Sequence, residues 1–336
     1  MGLLWSCFAT IFICTWSATH SDYNPSSGFT KFTDRLGDVV MGLIAPEWTT
    51  YMALCEFEAV RRLKQKTPGW SLKQCFFLNM NGLVIRNGSP GPYDREYVHM
   101  EPRQLVHVFE SGRVPWPKLR EQEIDSHSEA NGLIKSIALA QIIYFTAQAI
   151  SRAAVKLPVT PIELFTLSTV LCATISYIAW WHKPYGVNVP IYIHTKDPVD
   201  IAPWNRDSDE DSSPDAFPYS KWSMVACVVL GLGTGAILAA AWSYAFPTRV
   251  EQYMWRVASI AGAPLSIVVM MGVVFEWGPK ANGITNIGYR YLYYGFPILY
   301  LVLRLYLFAE VFAALRRVPV GVYRTVQWTQ YFPSFG

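Results

Sequence analysis

Arg304 and Glu310 lie in the stretch from Leu301 to Pro319, "LVLRLYLFAEVFAALRRVP", which is otherwise apolar enough to sit in lipid. A charged side chain at bilayer depth costs about 2.5 to 3.5 kcal/mol on insertion scales, so an ionisable residue there is a functional hypothesis by default. Six residues apart on a helix, the two lie about 120° apart around the axis and cannot neutralise each other along one face. Each needs a partner on another helix, or a cavity. Glu47, directly after Pro46 in "LIAPEW", is a third ionisable group in apolar surroundings, where the proline bends the chain and frees a carbonyl beside the carboxyl group. Two chemistries fit these residues. In one, Arg304 with Glu47, or Arg152 with Glu310, forms an interhelical ion pair that packs the helices. In the other, at least one carboxyl lines a dry pocket, where desolvation keeps it protonated and able to act as an acid.

Other polar groups sort by their spacing. Gln141, Tyr144, Gln148 and Arg152 stand at i, i+3, i+7 and i+11, which predicts one polar stripe on an otherwise apolar helix, turned toward protein. Glu163 closes "TPIE", with Thr160 as N-cap and Pro161 at the first helical position, so it reads as a capping box. "GLGTGA" at Gly231 to Ala236 fits a dinucleotide fingerprint in letters only, because it sits in a charge-free run with no strand before it; Gly231 and Gly235 are expected to form a close helix seam. The six cysteines show no metal-type spacing and are expected to pack. The sequon Asn87-Gly88-Ser89 is followed by Pro90, which disfavours glycan addition.

The elements that must position these residues are membrane spans. Of 336 residues 51% are hydrophobic, 15% aromatic and only 16% charged, against about 25% charged in a soluble domain. A formal charge of +3 with no basic block gives no reason to expect nucleic acid as a partner. Apolar runs at Gly2–Thr19, Leu36–Cys55, Leu133–Val155, Ile162–Trp181, Trp222–Phe246, Tyr253–Phe275 and Tyr291–Leu315 predict about seven transmembrane helices, or six if the second lies in the interface. The first is expected to be an uncleaved helix. The fold class is thus all-α, a single polytopic membrane bundle over residues 1–336. It is interrupted by a long polar loop, 56–131, and by a second loop, 182–220, that carries the acidic run "RDSDEDSSPD". Within the first loop, "CFFLNMNGLVI" is too short to cross and suits a re-entrant or surface helix. The basic clusters give no consistent orientation.

Several blocks carry a resemblance, in order, across nearly the whole chain: "LWSCFATIFICTW", "IAPEW", "QIIYFTAQAISRAAVKLPVTPIELFTL", "YIAWWHKPYGVNVPI", "LRLYLFAEVFAALRRVP" and "VQWTQYFP". They resemble a large group of fungal multi-pass membrane proteins. That group includes the integral-membrane terpene cyclases of meroterpenoid pathways, of the ascofuranone and macrophorin type, which close the end of a farnesyl chain attached to an aromatic or epoxycyclohexenone head. The resemblance implies a multi-pass protein of the endoplasmic reticulum, a hydrophobic prenylated substrate and no cofactor. It singles out Glu47, Gln141, Arg152, Trp180, Trp181, Lys183, Arg304 and Glu310. Such chemistry needs a carboxylic acid to protonate a terminal alkene or epoxide, and electron-rich walls such as Trp180 and Trp181 for the ensuing cation. No D-D-x-x-D cluster at helix depth suggests magnesium-assisted loss of diphosphate, so no metal is expected. Glu310, Glu47 and Arg304 are then the catalytic candidates. Gln141, Tyr144, Gln148, Arg152, Trp180 and Trp181 are the substrate-binding candidates. A transporter, or a non-catalytic membrane protein of such a pathway, is the alternative; the lack of an internal repeat speaks against the first of these.

Overall fold

The computed structural model describes residues 2–18, 28–67, 69–87, 97–98, 100, 102–112, 114–126, 131–185, 187, 189–195, 221–274 and 287–318. The last two residues of the sequon, the acidic run and the C-terminal "VQWTQYFP" block lie outside these. In chain order the elements are α1 (Gly2–Ala18), α2 (Gly28–Ile44), α3 (Pro46–Lys66), α4 (Leu72–Asn79), β1 (Leu83–Asn87), β2 (Tyr97–Val98), α5 (Pro102–Glu110), α6 (Glu121–Ser126), α7 (Asn131–Ala154), α8 (Pro161–Ala179), β3 (Ile191–Thr195), α9 (Lys221–Ala239), α10 (Arg249–Val274) and α11 (Ile287–Ala313).

Helix dominates, and four stretches are long and apolar enough to cross a membrane: Pro161–Ala179, Met224–Ser243, Arg249–Gly272 and Tyr294–Arg317. The chain is therefore a helical membrane protein. At 17 residues α1 reaches only about 26 Å, just short of a hydrocarbon core of about 30 Å. Apolar nearly all round, α8 is buried by α1, α3, α9 and α11, as expected of a helix with no polar face. Thr160 and Glu163 cap it reciprocally, as "TPIE" predicts. All six cysteines are free and buried.

The predicted span Leu36–Cys55 is not one helix. Ala45, at φ −132° and ψ 66°, breaks it, and Pro46 opens α3 at the position where its missing N–H is harmless. Phe29, Phe32, Leu36 and Val40 form a stripe that α2 turns outward. The second half of α3 carries Glu56, Glu58, Arg61, Arg62, Lys64 and Lys66 and leaves the apolar bundle.

Most of the 56–131 stretch is not loop but a folded cap with its own core, in which Val60, Phe76, Leu78, Leu105 and Phe109 pack against Ala179 and Trp180 at the end of α8. "CFFLNMNGLVI" does not lie on a surface. It forms a capped helix, a reversal and a buried strand. The reversal follows from Asn81 at φ 58° and from Gly82, where a Cβ would sit 2.6 Å from the Phe77 carbonyl oxygen. Burial in this core also raises the Cys75 thiol above its ordinary pKa, so it packs rather than reacts. In the sheet, β1 pairs antiparallel with β2 and parallel with β3, Leu83 opposite Ile191 through Asn87 opposite Thr195. Since β3 follows α8, the sheet ties the cap to the α7–α8 pair.

The glycine seam forms as expected, between α9 and α10. A Cβ on Gly235 would lie 2.6 Å from the Ala263 Cβ, and one on Gly231 would lie 2.5 Å from Ile267. Gly235→Val is therefore expected to lower stability by about 1 to 3 kcal/mol through overpacking. Thermal unfolding of the purified protein in detergent measures this, and an unchanged midpoint would mean that the helices do not meet there.

Candidate functional site in the membrane bundle

Breaking the chain at Ala45 puts the first turn of α3, and with it Glu47, inside the bundle. Glu47 is fully buried. Its Oε1 accepts a hydrogen bond from the Tyr300 hydroxyl at 2.7 Å and a second, charge-assisted one from the Arg304 guanidinium. The helix N-terminus adds a further favourable field for an anion. Arg304 also stands 5.7 Å from the centre of the Tyr300 ring. Tyr300 and Arg304 are one turn apart on α11, near the middle of its apolar stretch, and Thr50 of α3 donates to the Cys172 carbonyl in the middle of α8 at 3.0 Å. The pair thus sits level with the middle of two apolar helices. Ala45, Trp48, Leu265, Phe296 and Leu303 wall it with apolar surface. Two of its atoms, Glu47 Oε2 and Arg304 Nε, are buried without a hydrogen-bond partner among the described residues.

Glu310 occupies a different place. It is 5% exposed, and six residues past Arg304 it lies about 9 Å further along the axis. Its Oε2 is 3.4 Å from the Tyr306 hydroxyl, which is also 3.4 Å from the Glu251 carbonyl oxygen, so one proton serves two acceptors. Its Oε1 has no hydrogen-bond partner among the described residues. The neighbouring charges are Glu251, in the first turn of α10, and Arg316, and these two pair with each other. Among the described residues Glu310 therefore lacks the direct cation that Glu47 has.

The polar stripe of α7 is mostly interhelical packing. Gln141 donates to Thr10 of α1 at 2.7 Å, and Ser6 donates to Gln148 at 3.2 Å. Arg152 is buried and bonds Glu163 at 2.6 Å and the Pro158 carbonyl at 3.1 Å, so its partner is the capping glutamate and not Glu310. Tyr144 leaves the stripe and is 52% exposed. The buried face is centred on Ala138, Ile142 and Phe145, and at 100° per residue Tyr144 points about 100° away from Phe145.

At the other end of α8, Trp180 is buried and donates its indole N–H to Glu56 at 2.7 Å. Lys183 bonds the same Glu56 oxygen at 2.8 Å and Asn79 reaches the other at 3.3 Å. This latch joins cap to bundle. Trp181 is 54% exposed and engages Lys135 only through its carbonyl.

With this geometry in view, comparison places part of the chain. Residues 56–202 match a family model described as "Family of unknown function (DUF8562)". No curated protein and no solved structure matches. The matched stretch holds the cap, α7, α8 and all three described strands, including the Glu56, Trp180 and Lys183 latch. Glu47, Arg304 and Glu310 fall outside it.

Tyr300, Tyr306 and Glu56 were not evident as site residues from the sequence. A signal existed for the tyrosines: each stands four residues before a charged partner, Tyr300 before Arg304 and Tyr306 before Glu310, a spacing that stacks side chains on one helix face. Glu56 was hidden by being read as the start of a loop.

Proposed function

We propose that the protein is a membrane-embedded terpene cyclase with about six transmembrane helices, resident in the endoplasmic reticulum, that closes the farnesyl chain of a prenylated intermediate by protonating it. The observation that supports this most is the unequal setting of two buried carboxyl groups. Glu47 is tied to a guanidinium and a phenol, whereas among the described residues Glu310 has one oxygen unpartnered and no cation bonded to it. Paired acids in contrasting environments take contrasting roles.

In this reading Glu310 is the general acid and Tyr306 orients it. Its proton goes to the terminal alkene carbon or to the epoxide oxygen, a neighbouring alkene supplies the electron pair that forms the ring bond, and loss of a proton from the final cation returns the balance. Product and substrate are then isomers. Phe8, Phe165, Phe308 and Phe312 form a contiguous aromatic cluster that includes α11, of the kind that stabilises a passing cation.

Microsomes bearing the protein, supplied with a farnesylated phenol or its terminal epoxide and excess chelator, are expected to yield a cyclic product of unchanged mass. Folded protein that converts neither would remove the cyclase reading. It would instead favour the transporter or non-catalytic alternative, which draws its support from the interhelical ion pairs Arg304–Glu47 and Arg152–Glu163.

A further inference from the structure

Where the cap meets the bundle, a cavity of about 430 Å³ opens beside the ends of the membrane helices. Four ammonium groups from four separate segments line it: Lys64 at the end of α3, Lys73 in α4, Lys135 in the first turns of α7 and Lys183 after α8. Among the described residues two carboxylates line it with them, Glu121 and Asp125. Bringing four like charges to one cavity is unfavourable unless something answers them, and the protein answers only some. Lys73 pairs with Asp125, and Lys183, itself 2% exposed, is held by Glu56. Among the described residues no carboxylate stands within ion-pair distance of Lys64 or Lys135.

Lys135 is nonetheless fixed in place. Its Nζ donates to the carbonyls of Trp181 at 2.9 Å and Lys183 at 3.1 Å, which anchors the ammonium at the wall of the cavity. The cations among the described lining residues are lysines, which bind phosphate as point charges. The half-exposed Trp181 beside the cavity is the residue type that marks a bilayer–water boundary.

We propose that this pocket binds a phosphate-bearing anion at the membrane rim. The site is independent of the cyclase reading: it uses neither Glu47 nor Glu310. An anionic lipid headgroup and a soluble phosphate share this chemistry, and the experiment separates them.

Full-length protein is placed in phosphatidylcholine nanodiscs with or without a minority of phosphatidic acid. The discs without it are also titrated with inorganic phosphate or pyrophosphate. Acetylation of individual lysines, read by mass spectrometry, is expected to fall at Lys64, Lys73 and Lys135, but not at Lys156, which is exposed just past the opposite end of α7. Protection by phosphatidic acid alone identifies a lipid headgroup, and protection by the soluble anions identifies a free phosphate. Lys64→Glu, a change at an exposed side chain, is expected to weaken binding about tenfold, while Lys156→Glu leaves it unchanged. Protection by none of the three anions, or equal weakening by both variants, would overturn the proposal.

Discussion

Arg304→Leu is expected to deplete the folded protein from the membrane. Among the described residues, the substitution leaves the fully buried Glu47 with the Tyr300 hydroxyl and no cation, in a setting of Trp48, Leu265 and Phe296. Removing one partner of a buried ion pair costs about 3 to 5 kcal/mol, because the remaining charge has lost water and partner together. That is a large part of the stability of most folded chains. Fluorescence-detected size exclusion of detergent extracts reads the loss directly. Wild-type abundance would mean that the carboxylate reaches water or another cation, and that the pair is not the clamp between α3 and α11.

Glu310→Gln is expected to do the opposite: normal abundance with turnover lowered by about two orders of magnitude or more. The amide keeps the shape and can still receive the Tyr306 hydrogen bond, and no guanidinium is left stranded, since among the described residues none bonds Glu310. What disappears is the transferable proton. Glu47→Gln in the same microsomes is the control, since on this account its carboxylate serves Arg304 and turnover per folded molecule survives. If the two outcomes swap, Glu47 is the acid; if both variants cyclise normally, the intramembrane-acid mechanism is wrong.

Why some of this was legible in the sequence and some was not has a physical basis. Local devices read well, because their cause lies within a few residues. The Thr160–Glu163 capping box is one, and Gly231 and Gly235 are another, since only a missing side chain lets two helix backbones come so close. The four helices both long and apolar enough to cross a membrane were visible from length and composition for the same reason. Partners across the bundle were less so. Charge spacing showed that Arg304 and Glu310 could not pair along one face, and it admitted Glu47 as the partner of Arg304, but it admitted Arg152 for Glu310 equally well. The structure gives Arg152 to Glu163. The α2–α3 break was misjudged because the span was drawn through Pro46, although the residue itself was noticed. The cap was missed because its strands are short and polar-flanked, and because β1 pairs in parallel with a strand more than a hundred residues away, beyond two long helices. Such a pairing leaves no local trace.

The division of labour between the two buried carboxyl groups is tested most directly by the double variant Glu47→Leu/Arg304→Leu, with folded yield and turnover per folded molecule measured on one preparation. Removing both charges together removes the stranded ion, and well-packed apolar side chains often replace a buried pair without loss. The account predicts that the yield lost in Arg304→Leu returns and that cyclisation persists, because Glu310 is untouched. A double variant that folds but no longer cyclises would contradict it and move the acid to Glu47.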